Sequence, residues 1–373
     1  MIEGKVVIIL GMAHFFAALL ALVQPETPPA APALDARWSV TFATVPVARP
    51  GYDATSAYIP LKGGQLVAVD LDRGTIRWTL DQTTAFTPAT GEGLVFTVND
   101  QKIEALDGAT GGTKWGTPLP GGAAVPLYYD TGWLLASTTA GDLIALRASD
   151  GSVVWRRQLG APLSGPPGPA LDRLYLALED NRLVSVLLNS GETLWSRALP
   201  ARVTSMLALE DQLLVGTAAR RFMSIDLKSG RERWDWSVGG DISGLPSADD
   251  KRIYVASRDN ILRALDRRSG NLRWKANLGS RPAGGPLLTQ ASVLMPMVSS
   301  EIAGFDPETG KPTVTVRAAG EIGTQPFVRA ATRITLPLLI TVSREGQLQG
   351  FGRRFEPLPQ QLPVPLIGAQ AVP

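Results

Sequence analysis

Four groups of residues in this chain could do chemistry if the fold brought them together. The only histidine, His14, falls in an apolar N-terminal run, so no imidazole base or metal ligand is available beyond it. Cysteine is absent, which removes disulfides, thiolate metal sites, cysteine nucleophiles and lipidation at an N-terminal cysteine. Glu179-Asp180-Asn181 and Asp249-Asp250 set oxygen ligands side by side, as a calcium site requires. Both fall where a turn between strands is expected, and turn chemistry accounts for them. No serine has a histidine partner, and no glycine-rich phosphate loop leads from a strand into a helix. There remain nine tryptophans, an aromatic supply large enough for a ligand platform. Their spacing argues otherwise.

Six of them close a repeated phrase, seen best at 262–274 as LRALDRRSGNLRW. The same phrase ends at Trp78, Trp115, Trp155, Trp195, Trp234 and Trp274, and a copy at 302–314 (IAGFDPETGKPTV) ends in Val314. Glycine keeps one slot throughout: Gly74, Gly111, Gly151, Gly191, Gly230, Gly270 and Gly310. Alternation before the turn marks a strand, the glycine suits a turn that needs positive φ, and the aspartate found in most copies suits turn N–H groups as an acceptor. Each phrase is therefore a hairpin. A lone hairpin is marginally stable in water, so the copies must pack on one another.

The two ends of the repeat complement each other. Trp38 sits on the tryptophan lattice without a preceding strand and glycine, and Gln347–Gly352 (QLQGFG) repeats the first strand of the phrase without the second. A ring closes in this way, with the N-terminal strand completing the last unit and removing the open edge. About eight units of four strands each are expected over 38–355. The fold class is thus all-β, an eight-bladed β-propeller of four-stranded blades closed by the N-terminal strand. An open β-solenoid is the competing architecture, and the split eighth unit argues against it.

Composition narrows the partners. Hydrophobic residues at 45% allow a sizeable core, and a net charge of +2 with interleaved signs argues against nucleic acid. The arginine pairs, such as Arg220–Arg221 and Arg267–Arg268, are spread along the chain as turn residues rather than as a binding stripe. Val6 to Val23 is an apolar run behind Lys5, so residues 1–23 read as a signal peptide or an uncleaved membrane anchor that sends the rest across a membrane. Residues 24–37 read as a Pro/Ala-rich linker. Residues 356–373 read as a Pro-rich flexible tail or a short docking motif.

The pattern Ala-x-Asp-x-x-x-Gly-x-x-x-Trp, as in Ala68 to Trp78 and Ala264 to Trp274, resembles the tryptophan-docking repeat of pyrroloquinoline-quinone-type eight-bladed propellers. The resemblance covers nearly all of 38–352. It implies that Trp38, Trp78, Trp115, Trp155, Trp195, Trp234 and Trp274 are structural, each packed between blades with its indole N–H on a backbone carbonyl. Two branches of that family differ in function. Quinoprotein dehydrogenases stack the quinone on a tryptophan beside Ca²⁺ and a catalytic aspartate. BamB-type periplasmic proteins carry no cofactor and bind the outer-membrane β-barrel insertase.

Short, even repeat units, the lack of a cysteine pair and the lack of a second histidine favour the BamB-type branch. Of the tryptophans off the lattice, Trp133 reads as strand packing and Trp236 as rim surface. The expected function is a non-catalytic periplasmic scaffold for protein–protein interaction, with no cofactor and no catalytic or metal-binding residues. The alternatives are a quinoprotein dehydrogenase and an accessory subunit of another envelope complex. BamB-type proteins often carry an Asp-x-Asp pair on a partner-binding loop. Here Asp241-Ile242-Ser243 keeps the first carboxylate, so the resemblance marks Asp241 as the partner-loop candidate. The usual lipidated cysteine of that branch is missing.

Overall fold

The repeated phrases fold as strand pairs. A computed structural model describes residues 34–353 except 100, 333 and 334; the expected leader, the linker as far as residue 33 and the 356–373 tail lie outside the described residues. Each complete phrase supplies the third and fourth strands of a four-stranded antiparallel sheet, and the residues between phrases supply the first and second. In blade 1 these strands are Gly51–Tyr52, Ser56–Leu61, Gln65–Asp70 and Ile76–Asp81. Six blades follow in chain order. The eighth contains Phe327–Arg329, Leu338–Val342, Gln347–Arg353 and, outermost, Leu34–Thr41. The chain is an eight-bladed β-propeller.

Closure follows the register that the two fragments require: Trp38 lies opposite Gly350, and Thr41 opposite Gln347. The closing strand starts earlier than the sequence indicates. Leu34 already pairs with Arg353 and packs into the apolar cluster between blades 7 and 8. The prolines just upstream disguise this start as linker.

Apolar residues gather at the seams between neighbouring blades. One cluster joins Ile59 and Val67 of blade 1 to Ile340, Val342 and Leu348 of blade 8, and another joins Leu135 of blade 3 to Leu174 and Val184 of blade 4. A blade is covered on both faces, so its second strand is buried throughout, as in Ser56–Leu61. Its outer strand alternates, as in Ile76–Asp81. Each aliphatic side chain fully buried this way contributes about 1.5–3 kcal/mol, and the ring spreads that gain over every seam.

Two local devices aim the side chains. The turn glycines hold φ between 66° and 76°. The Gly74 N–H donates to the Asp70 carbonyl at 2.8 Å, and the Asp70 N–H to the Thr75 carbonyl at 2.8 Å. The register then slips just before each tryptophan. Ala68 faces Trp78 while Val69 faces Ile76, which leaves Arg77 as a bulged residue turned back along the strand. The same slip occurs in the phrases ending at Trp115, Trp155, Trp195, Trp234 and Trp274.

Candidate functional site

The lattice tryptophans bind blade to blade. Trp38 donates its indole N–H to the Leu71 carbonyl (2.9 Å), Trp78 to Gly108 (3.0 Å) and Trp115 to Ala148 (3.0 Å). Trp155 donates to Leu188 (2.9 Å), Trp195 to Leu227 (3.0 Å) and Trp274 to Pro307 (2.9 Å). The acceptor is always in the next blade, one residue past the aspartate slot. Each ring also lies against the next blade's turn glycine: a Cβ on Gly74 would fall 2.6 Å from the Trp38 ring, and one on Gly270 2.6 Å from Trp234. The glycine is thus required both by its backbone conformation and by the indole above it. The same contact holds at Gly111, Gly151, Gly191, Gly230 and Gly310.

Two exceptions have physical reasons. Val314 stands where a tryptophan would reach into blade 8, but the outer strand of blade 8 comes from the N-terminal segment, so the described residues form no strand-to-strand turn there to receive an indole. Val314 and Leu34 fill that seam instead. Trp234 keeps its glycine contact, yet among the described residues its buried indole N–H has no partner. The matching carbonyl, of Arg267, accepts the Gln212 side-chain amide at 3.0 Å. Elsewhere the carbonyl takes a second donor as well: the Tyr58, Tyr175 and Tyr254 hydroxyls reach Gly108, Leu227 and Pro307 at 3.3, 3.1 and 3.2 Å.

The turn aspartates do the work expected of acceptors and one thing more. Asp70 Oδ1 accepts the N–H groups of Asp72 and Arg73, both at 2.9 Å. Its other oxygen takes Arg77, the bulged residue, at 2.7 Å. Asp107–Lys114, Asp226–Arg233 and Asp266–Arg273 repeat the pair. Sequence reasoning missed this although the signal was there. Where the aspartate is replaced, by Arg147 and Leu187, the bulged position is apolar as well, Val154 and Leu194.

The pairing also settles the acid chemistry of these groups. The hydrogen bond from Lys114 is the main cause holding Asp107 down to about 2. Arg233 and Arg273 hold Asp226 and Asp266 well below the usual carboxylate range. At Asp70 burial pushes upward, but Arg77 and the turn amides outweigh it. A general base works best with a pKa near the working pH, and these carboxylates lie far below it. The two candidate cation groups are turns as well. Asp180 accepts the Arg182 side chain at 2.7 Å, and Asp249 accepts the Lys251 and Arg252 N–H groups and the Tyr254 hydroxyl. Among the described residues no three acids or histidines stand close enough to hold a metal.

Asp241 occupies the connector from blade 5 to blade 6. Its carbonyl accepts the Arg258 N–H at 2.8 Å, and Ser243 N–H donates to Ala256 at 2.9 Å. Ile242 is buried between these bonds, while Leu245 is 52% exposed. The Asp241 carboxylate has no protein partner among the described residues and is half-buried.

Under this connector lies a charged prop. Arg263, 7% exposed, bonds Ser257 at 2.7 Å and grips Asp259 through both terminal nitrogens, at 3.1 and 2.5 Å. Its guanidinium stands 5.7 Å from the centre of the Trp236 ring. Trp236, expected on the rim surface, is instead half-buried within the blade 5–6 cluster, because an arginine from the neighbouring blade covers it. Burial pushes the Asp259 carboxyl upward, but Arg263 and Ser257 outweigh this and hold it low. A Cβ on Gly239 would fall 2.6 Å from Asp259, and one on Gly240 2.8 Å from its backbone nitrogen. The connector therefore rests directly on the Asp259 turn.

The chain was compared with known proteins. The family described as outer membrane protein assembly factor BamB matches residues 33–120, 99–235, 186–332 and 258–351. A BamB from Yersinia pestis is 26% identical over 251 residues, which are 62% of this chain and 57% of that one, so the match spans little more than half of the relative. The crystal structure of BamB from Moraxella catarrhalis superposes with a TM-score of 0.64 at 16% identity, covering 86% of this chain and 99% of that one. The quinohemoprotein alcohol dehydrogenase of Comamonas testosteroni gives 0.70 at 12% identity, covering 88% and 78%. At such identities the two structures speak for the fold alone. The repeat, the ring and a family match running from residue 33 to residue 351 lead to one conclusion: the chain belongs to the outer membrane protein assembly factor BamB family.

Proposed function

We propose that this propeller is a non-catalytic scaffold of the periplasm that holds a protein partner in outer-membrane β-barrel assembly, the β-barrel insertase being the partner that family membership favours. Residues 1–23 would deliver the ring across the inner membrane and, if uncleaved, tie it there. The observation that carries the reading is the blade 5–6 connector. An unpaired Asp241 carboxylate and an exposed Leu245 stand on a backbone bonded to blade 6 and propped by Asp259 and Arg263. A rigid loop offering one charge beside one aliphatic side chain is what a protein interface uses as an anchor.

A dehydrogenase reading has only the shared fold in its favour. A quinone site needs an indole with a free face, oxygen ligands for a cation and a base beside the substrate. Here the lattice indoles lie against glycines, Trp133 packs into the blade 3–4 cluster and Trp236 lies under Arg263. The turn carboxylates are spent on amides and cations. The residues present do not fit that group.

Affinity capture from detergent-solubilised envelopes, with partners identified by mass spectrometry, tests the proposal. Recovery of the insertase by the wild type, reduced about tenfold or more by Asp241→Ala, is the expected result. Recovery of electron carriers, or stoichiometric quinone binding with turnover, would overturn it. Recovery of a different envelope complex would reassign the partner.

A further inference from the structure

The third residue of each third strand faces the preceding blade. Around the ring this place holds Val67, Glu104, Ile144, Val184, Met223, Arg263, Ala303 and Gln349. Six of these fill the seam as buried side chains, and Glu104 is held there by accepting the Gln82 side-chain amide at 2.9 Å. Ala303 is too short to do so and stays half-exposed where Ile144 and Met223 are buried. The result is a groove of about 540 Å³ between blades 6 and 7, within the size range of small-molecule sites.

The lining of this groove restricts what could enter. Its floor is apolar, made by Ala303, Phe305 and Met297. Around the floor stand the Asn277 amide and the hydroxyls of Ser280, Ser300 and Thr315, and none of these side chains has a partner among the described residues. Among the described residues no lysine or arginine lines the groove, and one carboxylate does, Glu301, which is taken by Arg317 at 3.1 Å. An anion would find only a cation already paired with Glu301, and a cation would compete with Arg317. Hydroxyl and amide groups both donate and accept, so a ligand that satisfies them must do both while laying an apolar face on the floor.

We propose that the blade 6–7 groove is a binding site for a neutral carbohydrate, with the C–H face of a sugar ring on Ala303 and Phe305 and its hydroxyls bonded to Asn277, Ser280, Ser300 and Thr315. The competing occupant is an uncharged aliphatic side chain of a protein, which would use the floor and leave the rim unsatisfied.

The repeat itself supplies the control. Ala303→Met writes the blade 5 residue, Met223, into blade 7, so the fold tolerates it while the groove fills. Thr315→Val removes one hydroxyl at nearly constant shape. The full chain, in a detergent without a sugar headgroup, is titrated with chitotriose, maltotriose and a capped leucine peptide by saturation-transfer NMR and calorimetry. The expected result is millimolar or tighter binding of at least one trisaccharide. Ala303→Met and Thr315→Val should each weaken it about tenfold, with an unchanged melting temperature. Three outcomes would overturn the proposal: no trisaccharide binding, binding indifferent to both substitutions, or binding of the leucine peptide alone.

Discussion

Blades 3 and 4 differ from blades 5 and 6 at the same two places of one repeat. In blades 5 and 6 the turn opens with Asp226 or Asp266, and the bulged residue is Arg233 or Arg273. In blades 3 and 4 the turn opens with Arg147 or Leu187, and the bulge carries Val154 or Leu194, which are 43% and 38% exposed. The backbone does not register the change. The Gly151 N–H still donates to Arg147 at 2.9 Å and Gly191 to Leu187 at 2.8 Å, against 3.0 Å at Gly230 and 2.9 Å at Gly270. The turn is therefore shaped by its glycine and by the indole resting on it. The ion pair decorates a geometry that exists without it.

If so, the largest losses should come from the indoles, whatever the turn opens with. Trp155→Ala in blade 3 and Trp78→Ala in blade 1 should each cost about 3–5 kcal/mol in denaturant titrations. A much smaller cost in blade 3 would mean that the ion pairs share in building the seam. Trp236→Ala belongs near the lower end of this range because Arg263 would lose the ring it stands over.

Next come the glycines. Gly191→Ala forces a residue with a Cβ into φ 67° and places that Cβ 2.7 Å from Trp155. The cost should be about 1–3 kcal/mol, read as a shift in the denaturation midpoint, and the same as for Gly270→Ala. A neutral Gly191→Ala would show that blade 4 can slide away from the indole.

The carboxylates should show themselves in how steeply stability falls with acid. Asp226 and Asp266 are depressed in the folded state, so their contribution is present above the unfolded value of about 3.9 and disappears as pH falls through the folded one. Asp226→Asn together with Asp266→Asn should lower stability modestly at pH 7 and flatten its fall below about pH 4, so that variant and wild type converge in acid. Urea melts across that window check this, and an unchanged acid limb would remove the pairs from the account.

The smallest effect tests the comparison most directly. Writing the pair into blade 3 with Arg147→Asp and Val154→Arg should change stability by less than about 1 kcal/mol. A larger gain would mean that the apolar rim of blades 3 and 4 carries a real stability cost.

Much of this molecule is legible in its sequence because the decisive contacts recur at fixed spacing. The phrase, its glycine and its tryptophan give the blade, and the split ends give the ring and the Trp38–Gly350 register. The aspartate–cation pair was legible too, as a correlation between residues seven apart such as Asp70 and Arg77. What could not be read depends on which side chain from one blade meets which from the next. Trp236 looks like rim until Arg263 is seen above it. The groove at Ala303 is visible only when eight third strands are compared in one orientation. The carbonyl that should receive Trp234 is occupied by Gln212, a residue outside the phrase.

The seam that lacks a tryptophan bears on how the ring is completed in time. Trp38 finds its acceptor, Leu71, only 33 residues downstream, whereas Ser39 of the same strand meets Gln347 at a separation of 308. A chain emerging from its N-terminus can therefore seat Trp38 on blade 1 long before blade 8 exists. The closing strand then waits, anchored by its indole, with the edge that will meet Gln347–Arg353 open toward the ring axis. Pairing across the long separation carries the larger loop-closure entropy and sets the slow step. The missing indole between blades 7 and 8 leaves the last seam as the place where late-arriving chain can slot in.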